Sequence, residues 1–487
     1  MKLETVAKYI NADTRKLSPA LLDAEISNFV IDSREVKAGE VFFALSQPDY
    51  KNNGFNGDFA DSHQFIKTAF EAGATACVAR PDKVHNNPEL EAFIDRLLLV
   101  EDAIVALQSL AAGIYGDWGK PVVAVTGSAG KTTAKELTAH VLAENGFRVL
   151  KNVKNYNNGL GHPLTVLRIV SEGDYDVAVL EMGMSTPMHE IKRLCEITPP
   201  DFAVELNVLP VHLEHLGSIE AIAAAKAELV EGMKPGGTAV LNADDTRVLA
   251  MRAKHSGKNI TYGIANQADV TASDIFSEKF GQTDFKLHTP AGSATVSMKL
   301  AGRHNISNAL AAASVGLGFG ISPENIARAL GTVAPPPQRG EVLRFAAGFE
   351  VVNDSYNSNP DALLGMVSTL VECGAHAKRK IVVAGEMLEL GTEAEAIHRE
   401  TGKKIAASGI DALFGVRGLA ADMVAGAQEV GQQAGMKETR FFVDSDAAAE
   451  AIADEVKPGD LLLVKGSRGV RTEKIVAKLQ EKFDLAE

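Results

Sequence analysis

Val122-Val123-Ala124-Val125-Thr126-Gly127-Ser128-Ala129-Gly130-Lys131-Thr132-Thr133 runs from an apolar, β-branched stretch into a glycine-rich turn. Gly-Lys-Thr-Thr then opens the helical stretch Ala134 to Leu142. The pattern is strand, phosphate loop, helix. Glycines let backbone N–H groups approach a polyphosphate, and a helix N-terminus favours negative charge. Lys131 has the reach for β- and γ-phosphates, and the Thr132 hydroxyl suits Mg²⁺. The loop is a short form, because the usual spacing needs glycine where this chain has Val125. An ordinary strand-to-helix turn is the competing reading. The spacing favours a site for ATP or GTP.

Outward from this loop, strands and helices alternate. Val177 to Glu181 and Phe202 to Asn207 read as buried strands, and Ser218 to Met233 and Asn305 to Gly316 as helices. Alternation of this kind predicts a parallel, doubly wound sheet whose ligands sit at the carboxyl ends of strands. Glu181 and Asn207 fall at that edge. Upstream, Asp102 to Tyr115 is an amphipathic helix, preceded by short strands near residues 27–34, 39–45 and 76–79. Asp49 to Gly57, rich in Asn and Gly, reads as a loop. Pro335-Pro336-Pro337 reads as a linker, since three prolines continue neither a helix nor a central strand. Beyond it the α/β pattern resumes. We expect three domains: a small α/β unit over 1–100, a central phosphate-loop sheet over 101–334, and a Rossmann-like α/β unit over 335–487.

Length and composition agree. A chain of 487 residues is too long for one core, and 46% hydrophobic with 23% charged residues suits a globular enzyme. A net charge of −14 argues against a general binder of nucleic acid or anionic membranes. Three scattered cysteines form no CxxC pair, so neither a disulfide framework nor a zinc cluster is expected and a reducing cytoplasm fits. No apolar run is long enough to span a bilayer.

Four further groups carry chemistry. Glu181, His212 and Lys226 could share a Mg²⁺ site beside the phosphate loop. Alternatively, Glu181 is a solvated strand end, His212 a bonded core residue and Lys226 an exposed helix lysine. Asn305, in Arg303 to Asn308, could meet an adenine edge or simply serve a helix start. The loop Asp354-Ser355-Tyr356-Asn357-Ser358-Asn359-Pro360 is dense in hydrogen-bonding groups, though Asn-Pro-Asp is also good turn chemistry. Arg339 and the Lys465-Gly466-Ser467-Arg468 segment add cations suited to phosphate or carboxylate. Asp32-Ser33-Arg34 could hold a second anion, or form a capped turn.

Taken in order, these motifs, with Asn155 to Pro163 and Gly385 to Gly391, resemble the Mur ligase family. Its members are ATP-dependent amide-bond-forming enzymes of peptidoglycan synthesis. The Asp354 to Pro360 segment is similar to that of members adding D-alanyl-D-alanine to UDP-N-acetylmuramoyl-tripeptide through an acyl phosphate. Another amide ligase of the superfamily, of folylpolyglutamate synthase type, is the alternative. The resemblance implies ATP on Thr126 to Thr133, Asn305, Arg339 and Asp354. It implies Mg²⁺ on Thr132, Glu181, His212 and a carbamylated Lys226. Lys131, Lys226, His212 and Arg339 would be catalytic. Asp32, Ser33 and Arg34 would face UDP, and Asn157, Asn158, Tyr356, Asn357 and Asn359 would contact substrate. A cytoplasmic monomer follows from the same resemblance.

Overall fold

The computed structural model describes residues 1–85, 87–153, 155–184, 188–210, 216–277 and 280–486. Among them the strands form three sheets. The first is parallel: β1 (Phe29–Val30), β2 (Val41–Phe43), β3 (Ala76–Ala79) and β4 (Leu97–Leu99), in that order.

The central sheet contains β5 (Val122–Thr126), β6 (Val149–Lys151), β7 (Val177–Glu181), β8 (Phe202–Glu205), β9 (Thr238–Asn242), β10 (Lys258–Gly263), β11 (Val270–Phe276), β12 (Thr283–Thr289) and β13 (Gly292–Met298). Its spatial order is β13-β12-β11-β10-β9-β8-β5-β7-β6. It is parallel from β6 to β11 and antiparallel through β12 and β13.

β5 shows why this sheet is covered on both faces. Every residue from Val122 to Thr126 is buried. Val122 and Ala124 join a core with Leu107, Leu110 and Ile114 of the helix Ala103–Trp118. Val123 and Val125 join the opposite core, with Leu137 and Val141 of Lys131–Ala143 and Ala309 and Ala312 of Arg303–Gly318. Period-two alternation thus feeds two apolar layers. The first of these cores continues into Phe43, Leu45 and Val78 of the N-terminal sheet. The two sheets are therefore packed through the helix Ala103–Trp118, which Asp102 caps by accepting from the N–H groups of Ile104 and Val105.

The third sheet contains β14 (Glu341–Arg344), β15 (Glu350–Asp354), β16 (Arg379–Gly385), β17 (Ala412–Val416), β18 (Glu438–Phe442) and β19 (Asp460–Lys465). Its order is β14-β15-β19-β16-β17-β18, parallel except for the β14–β15 pair. The last strand inserts between β15 and β16, which brings Lys465 beside Asp354. This α/β architecture, with a mostly parallel central sheet, is the one the alternating pattern predicts.

Two local features depart from the sequence reading. Residues 47–52 form a helix, Gln47–Asn52, where a loop is expected. The N–H of Ser46 donates to Asp49, part of a capping box, and that local bonding outweighs the Asn-Gly content. The hairpin strands β12 and β13 also extend the central sheet without any strand pattern having been read there. Their alternate residues, such as Lys286, are solvent-exposed, so the apolar signal is diluted.

His162 opens the helix Gly161–Glu172, is fully buried, and shares a 2.8 Å hydrogen bond through Nε2 with Thr198 Oγ1. Burial pulls its imidazole down to about 3. The folded ring stays neutral while the unfolded ring protonates below about 6.5. The unfolded chain therefore binds more protons between those values, and stability falls as pH drops through them. The full window is worth on the order of 5 kcal/mol. Thermal melts from pH 7 to pH 4 should show a steeper loss for the native chain than for His162→Gln.

Candidate active site

β5 lies between β7 and β8, and the chain crosses from β7 to β8 on opposite sides of it. Such a reversal opens a crevice at the strand carboxyl ends. Thr126, Glu181 and, just beyond β8, Asn207 converge there. Thr126 is buried, and its hydroxyl donates to Met182 O at 2.7 Å, tying β5 to the turn after β7. The loop then rises out of the sheet. Gly130, with φ of +84°, is the turn that requires glycine: a Cβ there would stand 2.6 Å from Asn308 Oδ1. Asn207 stitches the loop down, its Oδ1 accepting from Ala129 N at 2.8 Å and its Nδ2 donating to Ala129 O at 3.1 Å.

Lys131 folds back over this loop. Its Nζ donates to Gly127 O at 2.8 Å and Ser128 O at 3.4 Å. Burial pulls its ammonium below the usual range; nearby Glu181 opposes that shift, and Arg339 adds to it. Thr132 Oγ1 donates to Glu181 Oε2 at 2.7 Å, and Asn157 Nδ2 donates to Glu181 Oε1 at 2.8 Å. One hydroxyl and one carboxylate therefore stand together at the foot of the phosphate loop. They are hard oxygen donors, the chemistry that Mg²⁺ takes.

A cavity of about 400 Å³ extends from here across to the third sheet. Its walls include Ser128 to Thr133, Asn157, Glu181, Asn305, Arg339, Asp354, Tyr356, Asn357 and Asn359. Asn305 is buried, with Nδ2 donating to Ala301 O at 2.8 Å, so its amide also braces the helix start. Asp354 is paired with Lys465 at 2.6 Å, and Lys465 also donates to Asn357 O at 2.9 Å. The Arg339 guanidinium lies 4.0 Å from the centre of the Tyr356 ring.

Lys226 and its surroundings correct a simple expectation. An alanine-rich helix suggests an exposed lysine, yet Lys226 on Ile219–Glu231 is only 3% exposed. Burial pulls its ammonium down to about 7; Lys131 adds to the shift and Glu205 opposes it. Glu205, at the end of β8, is fully buried, and among the described residues neither carboxylate oxygen has a hydrogen-bond partner. Burial drives its carboxyl well above the usual range. Glu205 was not singled out in the sequence, although a glutamate between Val204 and Leu206 in a buried strand is itself a signal. His212 lies outside the described residues.

Other expected contacts are elsewhere or already engaged. Asp32, Ser33 and Arg34 line neither this cavity nor its neighbour. They follow β1, where Arg34 pairs with Asp32 at 2.6 Å and holds that carboxyl down to about 2 through its side-chain hydrogen bond. Asn158 Oδ1 accepts from the N–H groups of Leu160 and Gly161 at the start of Gly161–Glu172. Asn359 Oδ1 accepts from Ala362 N and caps Pro360–Cys373. Asn207, not assigned a site role from the sequence, bonds the phosphate loop on both sides of Ala129, while Asn308 packs where a side chain at Gly130 would stand.

Two family models match: the Mur ligase middle domain over residues 125–316 and the Mur ligase, glutamate ligase domain over 338–468. The chain is 33% identical over 464 residues to the UDP-N-acetylmuramoyl-tripeptide–D-alanyl-D-alanine ligase of Bacillus subtilis, covering 95% of each chain. A crystal structure of MurF from Acinetobacter baumannii superposes with a TM-score of 0.85 at 27% identity, covering 99% of both chains. MurF ligase from Thermotoga maritima, solved in complex with ADP, superposes with a TM-score of 0.79 at 29% identity, covering 96% of this chain and 99% of that one.

Proposed function

The chain belongs to the Mur ligase family, and from that premise we propose that it joins D-alanyl-D-alanine to UDP-N-acetylmuramoyl-tripeptide, cleaving ATP to ADP and phosphate. The observation that carries this reading is the shared cavity. Phosphate-loop residues and the Asp354–Asn359 loop wall one space. That arrangement suits transfer of the γ-phosphoryl group to the tripeptide carboxylate, followed by attack of the dipeptide amine on the acyl phosphate. The amine displaces phosphate through a tetrahedral intermediate.

Each residue has a role under this reading. The Ser128 to Thr133 backbone and Lys131 hold the polyphosphate, and Asn305 and Asp354 meet the nucleoside. Arg339 faces the transferring phosphoryl group, where a cation stabilises developing charge. Thr132 and Glu181 would hold Mg²⁺, with a carbamylated Lys226 and His212 as further ligands; bound there, the ion neutralises phosphate charge. Asn157, Asn158, Tyr356, Asn357 and Asn359 contact the peptide part of the substrate. Asp32, Ser33 and Arg34 face UDP, from the N-terminal unit. We place the three units at 1–100, 101–334 and 335–487, in a cytoplasmic monomer. No helix among the described residues is long and apolar enough to cross a membrane.

The test is ADP release. It should require ATP, a UDP-muramyl tripeptide and D-alanyl-D-alanine together, and yield a UDP-linked pentapeptide by mass spectrometry. Equal ADP release without the dipeptide would refute the ligase assignment.

Groups for one nucleotide are divided between Lys131 and the elements beyond the triproline segment. At that junction Gln338 takes φ of +60°, in the left-handed region, right after Pro335 to Pro337. A hinge there would let a large UDP-substrate enter and then shield the acyl phosphate from water. Solution scattering should give a smaller radius of gyration with an ATP analogue and UDP-tripeptide than without them. An unchanged radius at saturation would count against closure.

A further inference from the structure

A second cavity, of about 810 Å³, runs along the outer face of the phosphate-loop helix. It shares Thr132, Arg339 and Tyr356 with the first cavity. From Thr132 it reaches Ala143, eleven residues down the helix, or about 16 Å at the α-helical rise. Its floor is made of small apolar groups: Ala139, Ala143 and Val149, with the linker prolines opposite. Its lining carries a positive excess: the buried Lys135 and the exposed end of Lys151 both pair with the one carboxylate of Glu136. Arg468 donates to the Tyr356 hydroxyl at 3.2 Å and lies over that ring, and among the described residues it has no carboxylate partner.

We propose that this second cavity receives the dipeptide, with Arg468 binding its terminal carboxylate and its amine directed toward the Thr132–Arg339 end. The inference rests on the ligase reading above. An unpaired guanidinium in a chain of net charge −14 marks a local anion site, and its fork matches a carboxylate in bidentate fashion. The nucleotide's phosphates belong on the loop N–H groups of the first cavity, so a different anion is called for here. A dipeptide spans about 7 Å from amine to carboxylate, well within this groove. Two methyl side chains suit its alanine and valine floor and the prolines opposite. The Tyr356 ring, with the Arg339 and Arg468 guanidiniums 4.0 and 5.4 Å from its centre, would line the groove where the amine and carboxylate ends lie.

The experiment varies the dipeptide at saturating ATP and UDP-tripeptide, in the native chain, Arg468→Ala and Arg468→Lys. D-alanyl-D-alaninamide, which lacks the carboxylate, is run beside the dipeptide. Arg468→Ala should raise KM for the dipeptide about tenfold to a hundredfold, the range for hydrogen bonds to charged groups. KM for ATP should stay within about twofold, and Arg468→Lys should recover part of the loss. The native chain should discriminate against the amide, and Arg468→Ala should not. Because Arg468 is exposed, its melting temperature should hold and serves as the folding control. An unchanged dipeptide KM, or amide discrimination that persists in Arg468→Ala, overturns the proposal while the ligase reading stands. No dipeptide-dependent ADP release in the native chain overturns both.

Discussion

Lys131→Ala is expected to fold as the native chain does and to lose turnover by about three orders of magnitude or more. The folded state loses little. Among the described residues Lys131 bonds to the carbonyls of Gly127 and Ser128, contacts worth about 1 kcal/mol each, and its removal also relieves a buried charge. The reaction loses much more. The ammonium stands where the β- and γ-phosphates of a bound nucleotide would arrive, and preorganised charge acts most strongly where charge develops. Lys131→Arg should not rescue, since a planar guanidinium does not reproduce the compact ammonium that donates to Gly127 O and Ser128 O. Steady-state ADP release and a thermal melt check the two halves separately. Near-native turnover in a folded Lys131→Ala would remove the phosphate-loop assignment.

What was readable in the sequence follows from how local each signal is. The β5 strand and phosphate loop form one contiguous run, and both the apolar stretch Val122 to Val125 and the glycine-rich turn after it appear in the fold as strand and loop. The strands β15 and β19 were readable as short local segments, β15 around Val351 and Val352 and β19 as the apolar run Leu461 to Val464, ending in Asp354 and Lys465. Their pairing was not, because the insertion of β19 between β15 and β16 depends on contacts 111 and 81 residues apart in the chain. The helix Gln47–Asn52 was lost to its turn-like composition, although Ser46 and Asp49 carry a capping signal. Asn158 and Asn359 accept backbone N–H groups at helix starts, and because a cap and a binding amide use the same side-chain oxygen, sequence alone does not separate the two roles. Lys226 shows the deepest limit. Helical periodicity places it on a face, but only the packing of β8, with Glu205, determines that this face is buried.

Lys226→Ala is expected to be nearly inactive, with kcat down by at least two orders of magnitude and partial rescue by acetate. The argument begins from an electrostatic conflict. A buried ammonium beside Lys131 adds positive charge where a divalent cation and phosphates would need negative charge, and the helix offers it no carboxylate in hydrogen-bonded contact. Burial resolves half of this by pulling the group down to about 7, so that a substantial fraction is neutral amine near physiological pH. A neutral amine adds CO₂ and releases a proton, which turns a cationic site into an anionic oxygen pair. Glu205, driven toward its neutral form by the same burial, could then face that anion without repulsion. Lys226→Arg separates the alternatives, because its guanidinium keeps the positive charge and cannot form the carbamate. Activity should be lost in both variants, and acetate should restore about tenfold or more only in Lys226→Ala, where a cavity remains for it. Substantial activity in Lys226→Arg would mean that the site uses the cation itself, and the carbamate assignment would fall.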